Sequence, residues 1–556
     1  MKRGNINVVS IAMADNTQSP YEIYPYSIEK LKDLLSKKSE KSEATPETIQ
    51  QKLHTVYFAE YFQYLNAQTI VVENNYVDKD YLQDFIGYYA SCFHEYGRKC
   101  TRLHFFTEVI NEERFEVLLQ SNPSEEMLKN LNEVYLGFIV VKPLPNTIVG
   151  RTCLKTYDEN HGRKYPINRS YEANLFGLDL NIESLAFQEQ DHVVAACATS
   201  ALWSVFQGSG KLFQHPILSP VDITKIACDQ SPWMINRTLP SEGLNAYQIS
   251  QAVRHIGLEP YYIEFDHGDV WSLKAVTYAY LNAKIPILLG VSLVDVSPGN
   301  EAGKNREEHA VAVTGYCLDD QAIDVLDEQH SILLKSSRMK KIYVHDDQVG
   351  PFARMTMDGL KISYASDEEN KGQSYDSMKT SWRGMDKQMG SIRAVASIMI
   401  IPLYHKVRIP FGSLLKLIVP FDNFLEELRK QKFFLCDARL EWEIYLTTIN
   451  DFKTDILNSM LRGDLKSRIL QSPMPRFLWR AVAWCRDKTV LELIFDATDI
   501  DQGLFLIDTI EHDPNLYRLL ILLANNDQFK NDMIGRAGND AWKIFNGFVG
   551  KETGSE

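Results

Sequence analysis

The sequence predicts a multidomain α+β protein, because the chain is long, has an ordinary globular composition and alternates strand-like with helix-like segments. Its 556 residues are too many for a single hydrophobic core. They are 45% hydrophobic and 24% charged, as in typical globular proteins. The segment "AQTIVVENNY" carries the β-branched residues of a strand, whereas "DYLQDFIGYYASCFHEYG" has apolar residues at helical spacing.

Charge and hydropathy exclude several classes of protein. The net charge of −14 argues against a general nucleic-acid or anionic-membrane binder, since either favours a basic surface. We find no apolar run of the roughly 18 residues that a membrane span needs. The N-terminal apolar stretch is broken by Asp15 and Asn16, which makes it a poor signal peptide. The eight cysteines form no CxxC pair, so the sequence favours a reducing cytoplasm.

Changes in composition divide the chain into five consecutive regions. They are an N-terminal segment with a charged linker (1–54), an α+β module of unknown role (55–180), a central domain that carries the chemistry (181–360), a polar linker (361–394) and a C-terminal mixed α+β domain of unknown role (395–556). The flanking domains are where we expect a regulatory partner protein to bind, if one exists.

The central domain opens with a candidate nucleophile, Cys197, within "FQEQDHVVAACATSALWSVF". Leu202, Val205 and Phe206 follow it at helical spacing, so we expect a helix to begin at the cysteine. A thiol at a helix N-terminus lies at the positive end of the helix dipole, which favours the nucleophilic thiolate. The alternative is an inert core cysteine, since free cysteine is usually buried and unreactive.

Two later segments supply the partners that a catalytic thiol needs. In "NREEHAVAVTGYCLDD", His309 stands where a polar loop becomes a strand, and it is either a general base or a structural histidine. In "KKIYVHDDQVGPFARM", a strand ends at Asp346, in the place of an acid that orients an imidazole. Asp347 is the second choice for this acid, and two acids that merely open a turn are the alternative.

These elements, in this order, resemble the papain-like cysteine peptidases, and in particular the bacterial peptidases that cut double-glycine leader peptides. The resemblance is carried by "SEGLNAYQISQAVRHIGLEPYYIEF", "NAKIPILLGVSL", "EEHAVAVTGY" and "IYVHDDQ", downstream of the cysteine. The resemblance covers a part of the chain about as long as one domain. It implies a papain-like cysteine peptidase domain, in which a helix headed by cysteine packs on an antiparallel sheet.

The resemblance also implies a role for each matching residue. Cys197 would be the nucleophile, His309 the base and Asp346 the group that orients the imidazole. The side chain of Gln190 and the backbone N–H of Cys197 would form the oxyanion hole.

The chain departs from the family pattern at two positions. Ala198 follows the cysteine, where the family usually has glycine. Gln190 lies one residue further from Cys197 than the family spacing, so Gln188 remains an alternative oxyanion donor.

The sequence predicts no metal site and no cofactor. Cys92, His94, Cys100 and His104 are residue types that zinc accepts, but Cys92 and His94 are two apart on a predicted helix and so diverge. The segment "DATDIDQG" lacks the spacing of a calcium loop, and no Walker-type phosphate loop occurs.

The sequence therefore predicts a cytoplasmic cysteine peptidase or amide hydrolase that acts on a protein or peptide through an acyl-thioester. One alternative is acyl transfer or removal of a protein modifier by the same thiol, because the thioester intermediate is shared. Another is a catalytically silent papain-like binding module in a multi-protein defence or stress system. The ordered set Gln190, Cys197, His309 and Asp346 counts against a silent module.

Overall fold

The fold was analysed in a computed structural model of the chain. It describes residues 19–38, 52–120, 123–191, 193–229, 238–296, 303–320, 331–363, 373–383, 390–434, 436–499 and 505–549, without the side chains of 535–541. None of the described helices is both long and apolar enough to cross a lipid bilayer. The architecture is mixed α+β with antiparallel sheets, as the sequence predicts.

The N-terminal module is an antiparallel five-stranded sheet with the strands in sequence order. The strands are β1 (Tyr21–Pro25), β2 (Thr69–Tyr76), β3 (Cys100–Phe106), β4 (Tyr135–Val141) and β5 (Val149–Leu154). The helices are α1 (Ile28–Lys38), α2 (Leu53–Tyr64), α3 (Lys79–Gly87), α4 (Glu112–Gln120) and α5 (Glu125–Glu133). The helix predicted from "DYLQDFIGYYASCFHEYG" is shorter than expected, because it ends at Gly87 and a 3₁₀ turn follows.

The central domain combines helices with a long antiparallel sheet. Its helices are α6 (Cys197–Phe213), α7 (Pro220–Cys228), α8 (Ala246–His255) and α9 (Val270–Leu281). Its strands are β6 (Arg163–Lys164), β7 (Arg169–Leu175), β8 (Leu178–Ser184), β9 (Leu258–Glu264), β10 (Ile287–Asp295), β11 (Lys304–Leu318), β12 (Leu333–Leu334), β13 (Met339–Asp346), β14 (Gly350–Thr356), β15 (Lys361–Ser363), β16 (Ser374–Asp376), β17 (Met378–Lys379) and β18 (Ile392–Tyr404).

Six of these strands close into a ring. The pairing runs β10-β11-β13-β14-β17-β18, and β18 also pairs with β10. One face of the ring packs against α6 and α8 through Leu288, Ala312 and Ile400. On the other face, Val311 and Val313 belong to a separate hydrophobic core cluster. Helix α6 therefore packs on the outside of the ring.

The ring extends beyond residue 360, where the sequence predicted that the central domain ends. Strand β18 spans the predicted boundary between the linker and the C-terminal domain, yet it pairs with β10 and β9. The stretch "AVASIMIIPL" therefore belongs to the central sheet. The described part of the polar interval before it also belongs to the ring, because β17 lies within that interval and pairs with β14.

The C-terminal domain is built on a separate five-stranded sheet in the order β12-β19-β20-β21-β22. Its own strands are β19 (Glu441–Thr448), β20 (Phe477–Cys485), β21 (Lys488–Asp496) and β22 (Leu506–Glu511). Its helices are α10 (Phe411–Lys430), α11 (Ile449–Asn458), α12 (Gly463–Gln471), α13 (Pro514–Ala524) and α14 (Asp527–Phe545). Strand β12 joins this sheet in parallel with β19, so the central chain contributes to it.

A disulfide links Cys436 and Cys485 in the C-terminal domain. The two cysteines are separated by 49 residues in sequence and meet because β20 runs antiparallel to β19 and ends beside the start of that strand, which follows Cys436 in the chain. This pair counts against the reducing compartment that the cysteine spacing favoured. The other six cysteines are free.

Candidate active site

Cys197 is the first residue of α6, as the helical spacing of its neighbours predicts. The N-cap residue, Ala196, has no side chain that caps the helix, so the N–H groups of the first turn lack a side-chain acceptor there. The thiol therefore lies at the positive end of a 17-residue helix. Cys197 is partly exposed as a residue, unlike a core cysteine.

His309 lies on β11 and is joined to the acid that the sequence predicts. Its Nε2–H donates to Oδ1 of Asp346, the last residue of β13, at 3.1 Å. Both side chains are buried. The two strands are adjacent in the ring, which brings together residues that are far apart in sequence.

Asp346 is held as a carboxylate by three donors. Trp382 Nε1–H donates to its Oδ2 at 2.7 Å, and the backbone N–H of Gln348 donates to its Oδ1 at 3.2 Å. Burial acts to raise the pKa of Asp346, but His309, Trp382 and Gln348 together hold that pKa below its usual value. The acid therefore keeps its charge and fixes the imidazole.

The environment of His309 favours the imidazolium. Burial acts to lower its pKa, but the charge and hydrogen bond of Asp346, with smaller contributions from Cys197 and Asp347, raise the pKa of His309 well above its usual value. Because Asp346 occupies Nε2, Nδ1 is the ring nitrogen left to serve the thiol. A positive imidazole beside Cys197 stabilises a thiolate.

Asp347 places a second carboxylate on the same imidazole nitrogen. Its Oδ1 lies 3.3 Å from His309 Nε2, and neither carboxylate oxygen accepts a hydrogen bond within the described part of the chain. Burial raises the pKa of Asp347 to about 7, with His309 opposing that shift and Asp346 adding to it. The ligand atoms of His309, Asp346 and Asp347 all lie within 4.8 Å of one another, so these three residues could hold a divalent metal ion.

A cavity of about 730 Å³ opens beside Cys197 and His309. Its apolar wall is formed by Ile249 of α8, Leu288 of β10 and Ile400 of β18. Other parts of the wall are formed by residues with small or no side chains, which include Ala198, Gly243, Ala246, Gly290 and Ala310. Two acidic residues, Glu242 and Glu308, also line the cavity. The described lining residues include no lysine or arginine. The cavity has the size and mixed lining of a ligand-binding site.

The two candidate glutamines lie in the segment that leads to Cys197. This segment is fixed to the N-terminal module, because Phe187 pairs with Thr152 and the N–H of Glu189 donates to Val149. Gln188 is buried and Gln190 is half-buried. Neither glutamine is among the described residues that line the cavity. The oxyanion donor therefore stays a prediction, and Gln190 is not brought to the cavity in this state.

The N-terminal module also holds the turn that follows the acid. His54 Nε2–H donates to the carbonyl oxygen of Asp347 at 3.0 Å, and Tyr57 O–H donates to the carbonyl of Pro351. Gly350 packs on the Tyr57 ring so closely that a Cβ at this position would lie 2.4 Å from a ring carbon. The module of unknown role is therefore part of the framework that supports the site.

The zinc candidates of the N-terminal module do not form a cluster in the described structure. Cys92 follows the 3₁₀ turn rather than lying on a helix. His104 is buried on β3, where its ring nitrogens contact Tyr135 and Glu73. Cys100 begins the same strand and is also buried.

Sequence analysis missed Trp382, the donor that fixes Asp346. This tryptophan lies inside the interval interpreted as a linker, and it packs edge-on to His309 with the ring centroids 5.4 Å apart. The one available signal was a large aromatic residue in a polar segment, where exposure has no obvious benefit.

A scan against protein-family models finds no match, and a search of curated proteins finds no significant match.

Proposed function

We propose that the protein is a cysteine peptidase or amide hydrolase whose catalytic residues are Cys197, His309 and Asp346. The observation that carries this proposal is the His309–Asp346 pair beside a helix-terminal cysteine, in a cavity lined by both Cys197 and His309. A papain-like arrangement of the central domain, with the helix packed outside a strand ring, is part of the proposal.

The proposed reaction uses the residues in two steps. The Cys197 thiolate attacks the substrate carbonyl, His309 gives its proton to the leaving amine, and a thioester remains. Water then attacks the thioester while His309 takes up its proton, which releases the acid and regenerates the Cys197 thiolate beside the His309 imidazolium. Backbone N–H groups at the start of α6 are suited to bind the oxyanion, together with Gln190 if it moves towards the cavity.

The substrate that we propose is a protein or peptide with small residues at the scissile bond. This choice follows from the resemblance to peptidases that cut after two glycines, and the cavity that would receive the peptide is lined in part by Gly243, Gly290 and Ala310. We place the enzyme in the cytoplasm because six cysteines are free, although the Cys436–Cys485 disulfide points the other way. Fractionation of the source cells would test this location.

The test is alkylation by a peptidyl chloromethyl ketone that ends in two glycines. The thiolate forms a carbon–sulfur bond as chloride leaves. In the wild type we expect labelling at Cys197 that saturates with probe concentration and is already fast at pH 6–7, because His309 stays charged there. Mass spectrometry of the digested protein identifies the labelled cysteine.

Cys228 is the matched internal control, because it lines the same cavity but has no imidazole partner among the hydrogen bonds described for it. Cys197→Ala should remove the saturable labelling. In His309→Ala, the fast labelling of Cys197 at pH 6–7 should be lost, because the imidazolium that stabilises the thiolate is gone. Equal labelling of Cys197 and Cys228 in the wild type would instead favour a catalytically silent module.

A methyl group at Gly290 is expected to weaken probe binding. A Cβ at this position would lie 2.8 Å from Cγ2 of Ile398, so that side chain must shift into the cavity. For Gly290→Ala we expect the half-saturating probe concentration to rise about tenfold, since small steric changes in pockets have effects of this size. Gly412→Ala is the matched control, because a Cβ there meets open space. An unchanged half-saturating concentration would show that this wall does not contact the peptide.

A further inference from the structure

The N-terminal module contacts the segment that precedes the nucleophile through Tyr89. This residue begins the 3₁₀ turn that follows α3. Its O–H lies 2.8 and 2.7 Å from the two carboxylate oxygens of Asp191, and donates to them. Both side chains are buried, so the hydrogen bond is shielded from water.

Asp191 organises the turn that leads into α6. Its backbone N–H and C=O pair with the C=O and N–H of Ala195, at 2.8 and 3.0 Å. Its Oδ1 accepts the N–H groups of Val193 and Val194, at 2.9 and 3.4 Å. Ala195 is followed by the N-cap residue of the Cys197 helix, so the position of Asp191 sets where that helix begins.

The same turn supports the far side of the cavity. The Val193 carbonyl accepts the N–H of Ser241, a cavity-lining residue, at 2.7 Å. The Val194 carbonyl accepts the hydroxyl of Thr224 on α7, also at 2.7 Å. A displacement of Asp191 would therefore reach both the nucleophile and the cavity rim.

The buried carboxylate of Asp191 has few side-chain partners, beside the backbone N–H groups of Val193 and Val194. Lys142 is the cation within ion-pair distance among the described side chains, and its Nζ lies 4.0 Å away. Asp84 is a second buried carboxyl nearby, and burial raises its pKa well above the usual value. Tyr89 therefore provides the close side-chain donor that satisfies Asp191.

A free carboxylate near the start of α6 would oppose the proposed chemistry. Asp191 precedes Cys197 by six residues, and both a thiolate and an oxyanion must form at this end of the helix. Tyr89 and Lys142 hold the negative charge in the interface with the N-terminal module instead.

We propose that Tyr89 is a positioning residue for the nucleophile, which acts through Asp191 to fix the start of the Cys197 helix. This inference rests on the proposed thiol chemistry. It gives the N-terminal module a defined role, because the module supplies a side chain without which the active site is not held in its reactive geometry.

The test compares full-length Tyr89→Phe with the wild type, using the same chloromethyl ketone and, separately, iodoacetamide. For Tyr89→Phe we expect the maximal labelling rate at Cys197 to fall about tenfold or more, since small misplacements of a reacting group have effects of this size. The half-saturating concentration should change less than the rate, because Tyr89 does not line the cavity and reaches its rim only through the Val193–Ser241 hydrogen bond. Tyr88→Phe is the matched control, since it removes a neighbouring phenol hydroxyl and should leave both values unchanged.

A second substitution separates positioning from general destabilisation. In the Tyr89→Phe background, Asp191→Asn removes the buried charge that has lost its donor, and we expect it to restore most of the labelling rate. A wild-type maximal rate in Tyr89→Phe would overturn the proposal. So would a loss that Asp191→Asn does not reverse, or one that matches the unfolded fraction at the assay temperature.

The two probes keep this test distinct from the test of the proposed function. If the peptide probe does not label wild-type Cys197 selectively, the peptidase proposal fails. The ratio of iodoacetamide rates at Cys197, measured in Tyr89→Phe and the wild type, still decides whether Tyr89 positions the thiol.

Discussion

Replacement of His309 by alanine is expected to lower kcat by about 10⁶-fold, the size of effect seen when the base of a catalytic triad is removed. The substrate is a fluorogenic peptide amide that ends in two glycines. His309 supplies three things that alanine cannot: stabilisation of the thiolate, a proton for the leaving amine and a base for the attacking water. Release of the fluorescent amine measures the loss.

Two further variants make this result specific. Asp346→Ala should lower kcat by about 10⁴-fold, because the imidazole stays but loses its orienting partner. His255→Ala is the control, because His255 lies exposed in the last turn of α8. Activity in His309→Ala within about tenfold of the wild type would contradict the assignment of the base.

Replacement of Asp347 by asparagine is expected to change the free energy of unfolding, relative to the wild type, more favourably at pH 8 than at pH 5. Burial raises the pKa of Asp347 from 3.8 to about 7, so the folded state holds this proton more tightly than the unfolded state. Its contribution to stability is therefore present at low pH and is lost as pH rises from about 4 to about 7. Asparagine does not ionise and avoids that loss.

The expected size follows from the window between pH 5 and pH 7. Each pH unit there changes the free energy of unfolding by about 1.4 kcal/mol, so the advantage of Asp347→Asn should grow by about 3 kcal/mol. Urea unfolding at pH 5 and pH 8 measures this difference. Asp320→Asn is the control, since that aspartate is exposed. An advantage that is the same at both pH values would mean that Asp347 does not titrate in this range.

The sequence predicts that Cys197, His309 and Asp346 form one site; in the structure His309 is hydrogen-bonded to Asp346, and Cys197 lines the same cavity as His309. Each stands at the end or edge of a regular element whose type is evident from residue spacing, and such positions converge when a helix packs on a sheet. The structure gives these elements the predicted types, with Cys197 at the start of a helix and the other two residues on adjacent strands.

Contacts between distant segments could not be predicted in this way. Trp382 reaches Asp346 only because β17 and β18 close the ring, and composition alone assigned that interval to a linker. The Cys436–Cys485 disulfide depends on the path of β20, which spacing does not reveal. Gln190 was chosen from its position in a loop, but the direction of a loop side chain is set by contacts such as those of Phe187 and Glu189.

The order in which the ring closes has a consequence for synthesis of the protein. A chain that emerges N-terminus first completes the Cys197 helix, β11 and β13 long before β18, the strand that pairs with β10. Until residue 404 has emerged, β10 keeps an unpaired edge and Trp382 has no closed ring against which to settle. The proposed nucleophile therefore stays without its fully ordered acid until residue 404 has emerged, which delays any cleavage until the central domain is complete.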